Sequence, residues 1–207
     1  TRPVPADRIF EIPERMAADG SALVSLDENA VREAVRTLRQ RGIEAFAVCY
    51  LHSFANPAHE QRTRELILEE YPQALVSLSS DVLPLVREYE RSMATVLNVY
   101  VMPAVSRCVE RLEQRLAEAD IQAPLLIMKS NGGVTSAPEV RKAPAHTALS
   151  GPAAGVVGAG FIGAAAGFQD VIGIDIGGTS ADISMIKGGN FTLSESGQIG
   201  EWPLALP

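Results

Sequence analysis

The chain has 207 residues, 46% apolar and 21% charged, with 18 Lys and Arg against 25 Asp and Glu for a net charge of −7. That length suits one large domain or two small ones, and the composition excludes wholesale disorder and low-complexity fibre. An acidic chain with no basic run offers no field for a nucleic acid backbone.

Cys49 and Cys108 lie far apart without CxxC spacing, so a disulfide framework is excluded. His52, His59 and His146 show no HxxxH or HExxH spacing for a transition metal. Both cysteines are expected as core thiols, His146 as a structural histidine, and the compartment as reducing and cytoplasmic. The opening residues, Thr1 to Asp7, have no signal-peptide character, and there is no initiating Met. A cut piece of a longer protein is therefore expected.

Residues 8–26 predict two short strands around the turn signal Ala18-Asp19-Gly20. Asp27 has the place of an N-cap, Val31, Val35 and Leu38 recur at helical spacing, and Gly42 stands where a helix would stop. Ile43 to Leu51 is an apolar run expected of a buried strand. Asn56-Pro57 opens a second helix to about Glu70, with Pro57 as its first residue. Leu75 to Leu78 is a further strand, and the alternation favours an α/β layer architecture.

A long helical region spans about 86–119, and Pro103 is expected to split it. Val105, Val109, Leu112 and Leu116 form the apolar stripe of its second half. Leu125 to Met128 is a strand that ends at Ser130-Asn131-Gly132-Gly133. Residues 143–169 contain no Asp, Glu, Lys or Arg. The weak hydropathy and Pro144 and Pro152 argue against a membrane span. A buried helix is expected instead, capped by Ser150, with Pro152 in its first turn and small residues that admit a close neighbour.

Val171 to Ile186 reads as strand, glycine turn, strand, with Gly188-Gly189 as a second turn and Asn190 to Ser194 as a third strand. Rossmann and P-loop motifs need a helix after their glycines, whereas here the period is 2. Alternation puts Asp175 with Gly173 and Val171, away from Ile172, Ile174 and Ile176, and Asp182 with Ser184, away from Ile183 and Met185. Both carboxylates then flank the turn. Gly177 and Gly178 can take positive φ, and with the Thr179 and Ser180 hydroxyls they form a cradle for phosphate oxygens. Two carboxylates suit Mg²⁺.

Asp175-Ile-Gly-Gly-Thr-Ser-Ala-Asp182 resembles the second phosphate loop of the actin/Hsp70/sugar-kinase superfamily. With Ser150-Gly-Pro-Ala-Ala-Gly-Val156 it is similar to the hydantoinase A/5-oxoprolinase family. Three further segments fit that family: His52 to Glu60, Ser79 to Pro84 with Glu88 to Arg91, and Met128 to Gly133. The resemblance implies a partial actin-like (ribonuclease H-like) α/β fold. Residues 1–145 would be the rest of a first lobe, and 146–207 the connecting helix and first hairpin of a second. Family members carry an earlier Asp-Gly-Gly-Thr loop and a later glycine-rich segment, and neither occurs here, so an internal fragment, inactive by itself, is expected.

The implied activity is ATP-dependent opening of cyclic amides, with ATP and Mg²⁺ as cofactors. The implied partner is a second, B-type subunit or a C-terminal half. Asp175 and Asp182 would hold the metal. Gly177, Gly178, Thr179 and Ser180 would bind phosphates, with Asn131 and Gly132 as further candidates. No acid or base is assigned. Two alternatives stand: a subunit of an ATP-dependent ketone carboxylase, and a non-enzymatic nucleotide switch.

Overall fold

The computed structural model describes residues 3–178, 181–191, 197–199 and 202–204. It is an α/β chain whose strands pair in two-stranded sheets. Residues 1–105 and 106–197 form the bulk of two compact units, and the division falls inside one long helix.

In the first unit β1 (Arg15–Met16) and β2 (Ala22–Val24) pair antiparallel around the expected turn. There the Asp19 carboxylate accepts from the Ser21 N–H and hydroxyl at 2.9 and 2.7 Å. Asp27 caps α1 (Glu28–Gln40), its Oδ1 accepting from the Ala30 N–H at 3.0 Å. Gly42 follows at φ +73°, a conformation that favours glycine. β3 (Ala45–Val48) and β4 (Leu75–Leu78) are parallel, joined through α2 (Ala58–Glu70). Pro57 stands just before α2 rather than inside it, and Asn56 Oδ1 accepts from the Ala58 N–H. Val31, Val35, Phe46, Val48, Leu66, Ile67 and Leu78 make the core of this βαβ unit. Outside it, Arg32 and Arg36 of α1 pair with Glu70 of α2, and Arg62 pairs with Glu28. Such pairs near the surface contribute little each.

Three of the singled-out segments meet in a buried polar network. Glu60 of α2 is fully buried. Its Oε1 accepts from the Tyr50 N–H at 3.0 Å and the Ser79 hydroxyl at 2.5 Å, and its Oε2 accepts from the Ser80 N–H at 2.9 Å. Ser79 and Ser80 open α3 (Ser79–Val82), so the carboxylate sits at a helix start. The Ser79 hydroxyl also meets that of Ser53 at 3.0 Å. Arg91, 1% exposed, donates to the Tyr50 carbonyl at 2.7 Å and the Leu85 carbonyl at 3.0 Å. One residue, Tyr50, thus accepts from the buried cation and donates to the buried anion. Nearby, burial pushes the Cys49 thiol up to about 11.

Pro103 does not split the long helix: α4 (Glu88–Glu118) runs through it. Val99 and Met102 before Pro103 and Val109 after it are buried, and this packing on both sides outweighs one lost N–H. In the expected stripe Val109 is buried but Leu112 is 42% exposed. Cys108 is exposed rather than a core thiol, because one residue of helix turns it about 100° from Val109.

In the second unit β5 (Leu126–Met128) and β6 (Val134–Ser136) form a hairpin, followed by α5 (Ala137–Lys142). α6 (Ser150–Ala165) departs from expectation twice. Ser150 is its first residue, not its cap; Leu149 occupies the cap position at φ 59° and supplies no side-chain bond. The helix is also largely exposed: among its residues only Gly163 is buried, while Phe161 is 74% exposed. Among the described residues nothing covers its outer side. No helix among them is long and apolar enough to cross a membrane.

What α6 does cover is one face of a hairpin, β7 (Val171–Ile176) and β8 (Ala181–Ile186). Gly155, Ala159 and Gly163 repeat every four residues and lie on one side of the helix. A Cβ on Gly163 would stand 2.5 Å from Val171 Cγ2, and one on Gly173 would stand 2.6 Å from Ser184 Oγ and 3.5 Å from Ala159 Cβ. A side chain at Gly163 would thus collide with Val171 of β7, and one at Gly173 with Ser184 of the paired strand. Gly188 and Gly189 form the following turn with positive φ, closed by a Lys187–Asn190 bridge. Asn190 makes that antiparallel bridge where the expected third strand would begin, and residues 192–194 of that strand lie outside the described residues. β9 (Gly197–Ile199) pairs with β10 (Trp202–Leu204).

Two outcomes follow for stability. Glu60→Ala strands three donors and leaves Arg91 without its relayed counter-charge, so urea unfolding should show a loss of about 3–5 kcal/mol; a loss below about 1 kcal/mol would show the network to be incidental. Gly163→Val should lower stability by about 1–3 kcal/mol through overpacking against Val171, and an unchanged melting temperature would contradict the close approach.

Candidate functional site

The β7–β8 register decides where the acids lie. Asp175 stands directly opposite Asp182, Gly173 opposite Ser184 and Val171 opposite Ile186. Residues directly opposite in an antiparallel pair share a face, with Cβ atoms about 4.5–5.5 Å apart. The helix identifies that face. A Cβ on Gly155 would lie 3.5 Å from Asp175 Oδ2, and one on Gly160 would lie 3.3 Å from Ile186 Cδ1. Both carboxylates are therefore on the α6 side, at the glycine-turn end, as alternation predicts. The opposite face carries Ile172, Ile174, Ile176, Ile183 and Met185, all strongly exposed.

Both aspartates are themselves exposed. Like charges directly opposite are destabilising, so this pair gains from a cation. Among the described residues no three His, Cys, Asp or Glu side chains gather as a metal cage. Mg²⁺ does not need one, since it commonly takes one or two carboxylates plus water and substrate phosphates. The donor chemistry of Asp175 and Asp182 fits that ion.

Gly178 corrects one expectation. It has no positive φ, and a Cβ built on it meets nothing within 4 Å. Backbone strain is not what calls for glycine there; open space beside the turn is what a ligand could use. Gly177 adjoins it at the end of β7, and Thr179 and Ser180 lie outside the described residues.

The Asn131–Gly132 turn is held rigidly. Gly132 has φ +81°, and a Cβ on it would meet Val157 Cγ2 at 3.0 Å. Asn131 Oδ1 accepts from the Gly133 N–H at 3.0 Å. The Ser130 N–H and hydroxyl both donate to the His146 carbonyl, at 2.7 and 3.0 Å. His146 thus serves this site through its backbone, which ties the turn to the segment entering α6. A cleft of about 390 Å³ opens between this turn, the first turns of α6 and β8. Leu149, Pro152, Ala153, Val156, Ser184 and Phe191 share its wall. Sequence reasoning gave none of these a binding role, because the residues lie on separate elements and most carry no chemical signal. Of the first unit's network, Glu60, Ser79 and Arg91 lay inside singled-out segments, but no spacing rule marks a relayed ion pair.

Comparison with known proteins agrees with these features. Residues 91–207 match the hydantoinase/oxoprolinase family, and residues 1–71 match the hydantoinase/oxoprolinase N-terminal region. The caprolactamase subunit alpha of Pseudomonas jessenii is 32% identical over 193 residues, covering 93% of this chain and 28% of that protein. The crystal structure of that ATP-dependent caprolactamase superposes with a TM-score of 0.85 at 32% identity, covering 95% of this chain and 28% of that one. A nucleotide-free acetone carboxylase structure gives a TM-score of 0.83 at 30% identity, again over 95% of this chain and 28% of that one. The 5-oxoprolinase of Saccharomyces cerevisiae is 31% identical over 161 residues, covering 76% of this chain and 12% of that protein. The chain thus spans under a third of the length of these relatives. With both family regions matched in order, the chain belongs to the hydantoinase/oxoprolinase family.

Proposed function

We propose that this chain is part of an ATP-dependent enzyme that opens cyclic amides, and that it supplies the metal carboxylates and one phosphate loop. The observation that carries this reading is the Asp175–Asp182 pair, face to face across a glycine turn that joins two strands directly. We further assign residues 1–145 to the first lobe of an actin-like fold, and 146–207 to the connecting helix and first hairpin of the second.

An amide is a poor electrophile and its oxygen a poor leaving group. Transfer of the γ-phosphoryl group to the amide oxygen breaks the bond to the ADP oxygen and yields an imidate-like phosphate. Water attacks the imidate carbon, the C–N bond breaks as nitrogen takes up a proton, and a second water frees the phosphate. The protein's work is then positioning and charge neutralisation. Mg²⁺, when bound, would offset negative charge on the phosphates. Asp175 and Asp182 would orient it, and the N–H groups of Gly177 and Gly178 with the Thr179 and Ser180 hydroxyls would hold phosphate oxygens. The relatives named as subunits support a partner subunit or a further half of the same polypeptide, and ATP as the donor suits a cytoplasmic enzyme.

A second reading is ketone carboxylation, favoured by the likeness to an acetone carboxylase. There an enol oxygen would take the phosphoryl group. ATP turnover stimulated by a cyclic amide supports the first reading; stimulation by a ketone with bicarbonate supports the second.

In the full-length protein, Asp175→Asn should lower amide-stimulated ATP turnover by about 10²-fold or more, the scale of one lost transition-state electrostatic group. The melting temperature should hardly move, because the side chain is exposed. Equal turnover in the parent and the variant would remove Asp175 from the metal site.

A further inference from the structure

We infer that the 390 Å³ cleft beside Asn131 is the seat of the uncharged cyclic-amide substrate rather than of the nucleotide. This rests on the cyclic-amide reading above and adds where the ring lies and what recognises it.

The first observation is charge. Not one residue lining the cleft is Asp, Glu, Lys, Arg or His. A polyphosphate placed there would meet no cationic side chain, and the carboxylate pair that would hold its metal lies outside the lining. A neutral amide needs neither. The walls contributed by Pro152, Val156 and Phe191 are hydrocarbon or aromatic and match ring methylenes. The volume is within the ordinary range for small-molecule sites, about 300–1,000 Å³.

The second observation is one oriented donor. The Gly133 N–H donates to Asn131 Oδ1, which fixes which end of that side-chain amide is oxygen. The Nδ2 group is then the end left to donate, as a carbonyl oxygen requires. The Ser130 bonds to the His146 carbonyl hold the turn in place before any ligand arrives, which reduces the ordering cost of binding. At the rim Leu149 keeps a left-handed φ of 59°, uncommon for a bulky residue and frequent at binding sites.

The third observation is position. Ser184 lines the cleft and lies two residues from Asp182 on the same face of β8. That spacing is about 7 Å along a strand. A carbonyl oxygen bound here lies within a short reach of a phosphoryl group held at the acid pair.

The test uses the full-length protein, with ε-caprolactam and hydantoin as probes, titrated calorimetrically without nucleotide, and MgADP titrated separately. Val156→Phe fills the cleft. Asn131→Asp keeps the shape of the side chain but replaces the donor with a repelling oxygen. Each should weaken binding of the amides at least tenfold while the MgADP Kd stays within twofold. Asn131 is a partly exposed turn residue, so its near-isosteric change leaves the fold testable even where Val156→Phe disturbs it. Amide affinity unchanged in Asn131→Asp, MgADP weakened in parallel, or no saturable binding of either amide by the parent protein would each overturn the assignment. Because no ATP turnover is read, this result stands apart from that of Asp175→Asn.

Discussion

The close contact of α6 with the β7–β8 hairpin is the constraint on which the site depends. Gly155, Ala159 and Gly163 on the helix face Asp175, Gly173 and Val171 on the strand. A side chain at Gly163 would collide with Val171, whose Cγ2 lies 2.5 Å from where that Cβ would stand. With the helix held close, the hairpin has one covered face and one exposed face, and the two aspartates fall on the covered side at its open end. The same helix, through Leu149, Pro152, Ala153 and Val156, walls the neighbouring cleft. One packing contact therefore places the acid pair and the uncharged cleft side by side.

The first unit relies on a different device. Its apolar core is an ordinary βαβ layer, but the joints between its elements are polar. Glu60 binds the end of β3 to the start of α3, and Arg91 binds the first turn of α4 to the same residue, Tyr50. Two buried charges linked through the backbone of one residue are costly to separate and unforgiving of substitution. This explains physically why the segments around His52, Ser79 and Glu88 have the residues they have, without giving them a catalytic task.

Much of the fold was legible in the sequence because local signals agreed with packing. Asp27 and Gly42 bracket α1 as capping chemistry dictates, and the Asp19 turn and the Gly188-Gly189 turn follow from their residue types. Period-2 alternation located both aspartates correctly. The failures are places where tertiary contacts override local rules. Pro103 is carried by buried neighbours on both sides. Ser150 yields the cap position to Leu149, whose strained backbone no propensity would suggest. The small residues of the uncharged run serve one close contact, that of α6 with the hairpin. The cleft was illegible because its walls come from a turn, a helix and a strand that meet only in three dimensions.

The central claim is that Asp175 and Asp182 together orient the metal that accompanies the nucleotide. Crystals of the full-length protein grown with Mn²⁺ and a non-hydrolysable ATP analogue would test it by anomalous diffraction. The account predicts an Mn²⁺ peak ligated by these two carboxylates directly or through one water, with the analogue's phosphates completing its shell. A metal–nucleotide peak beyond water-mediated reach of both aspartates would contradict it.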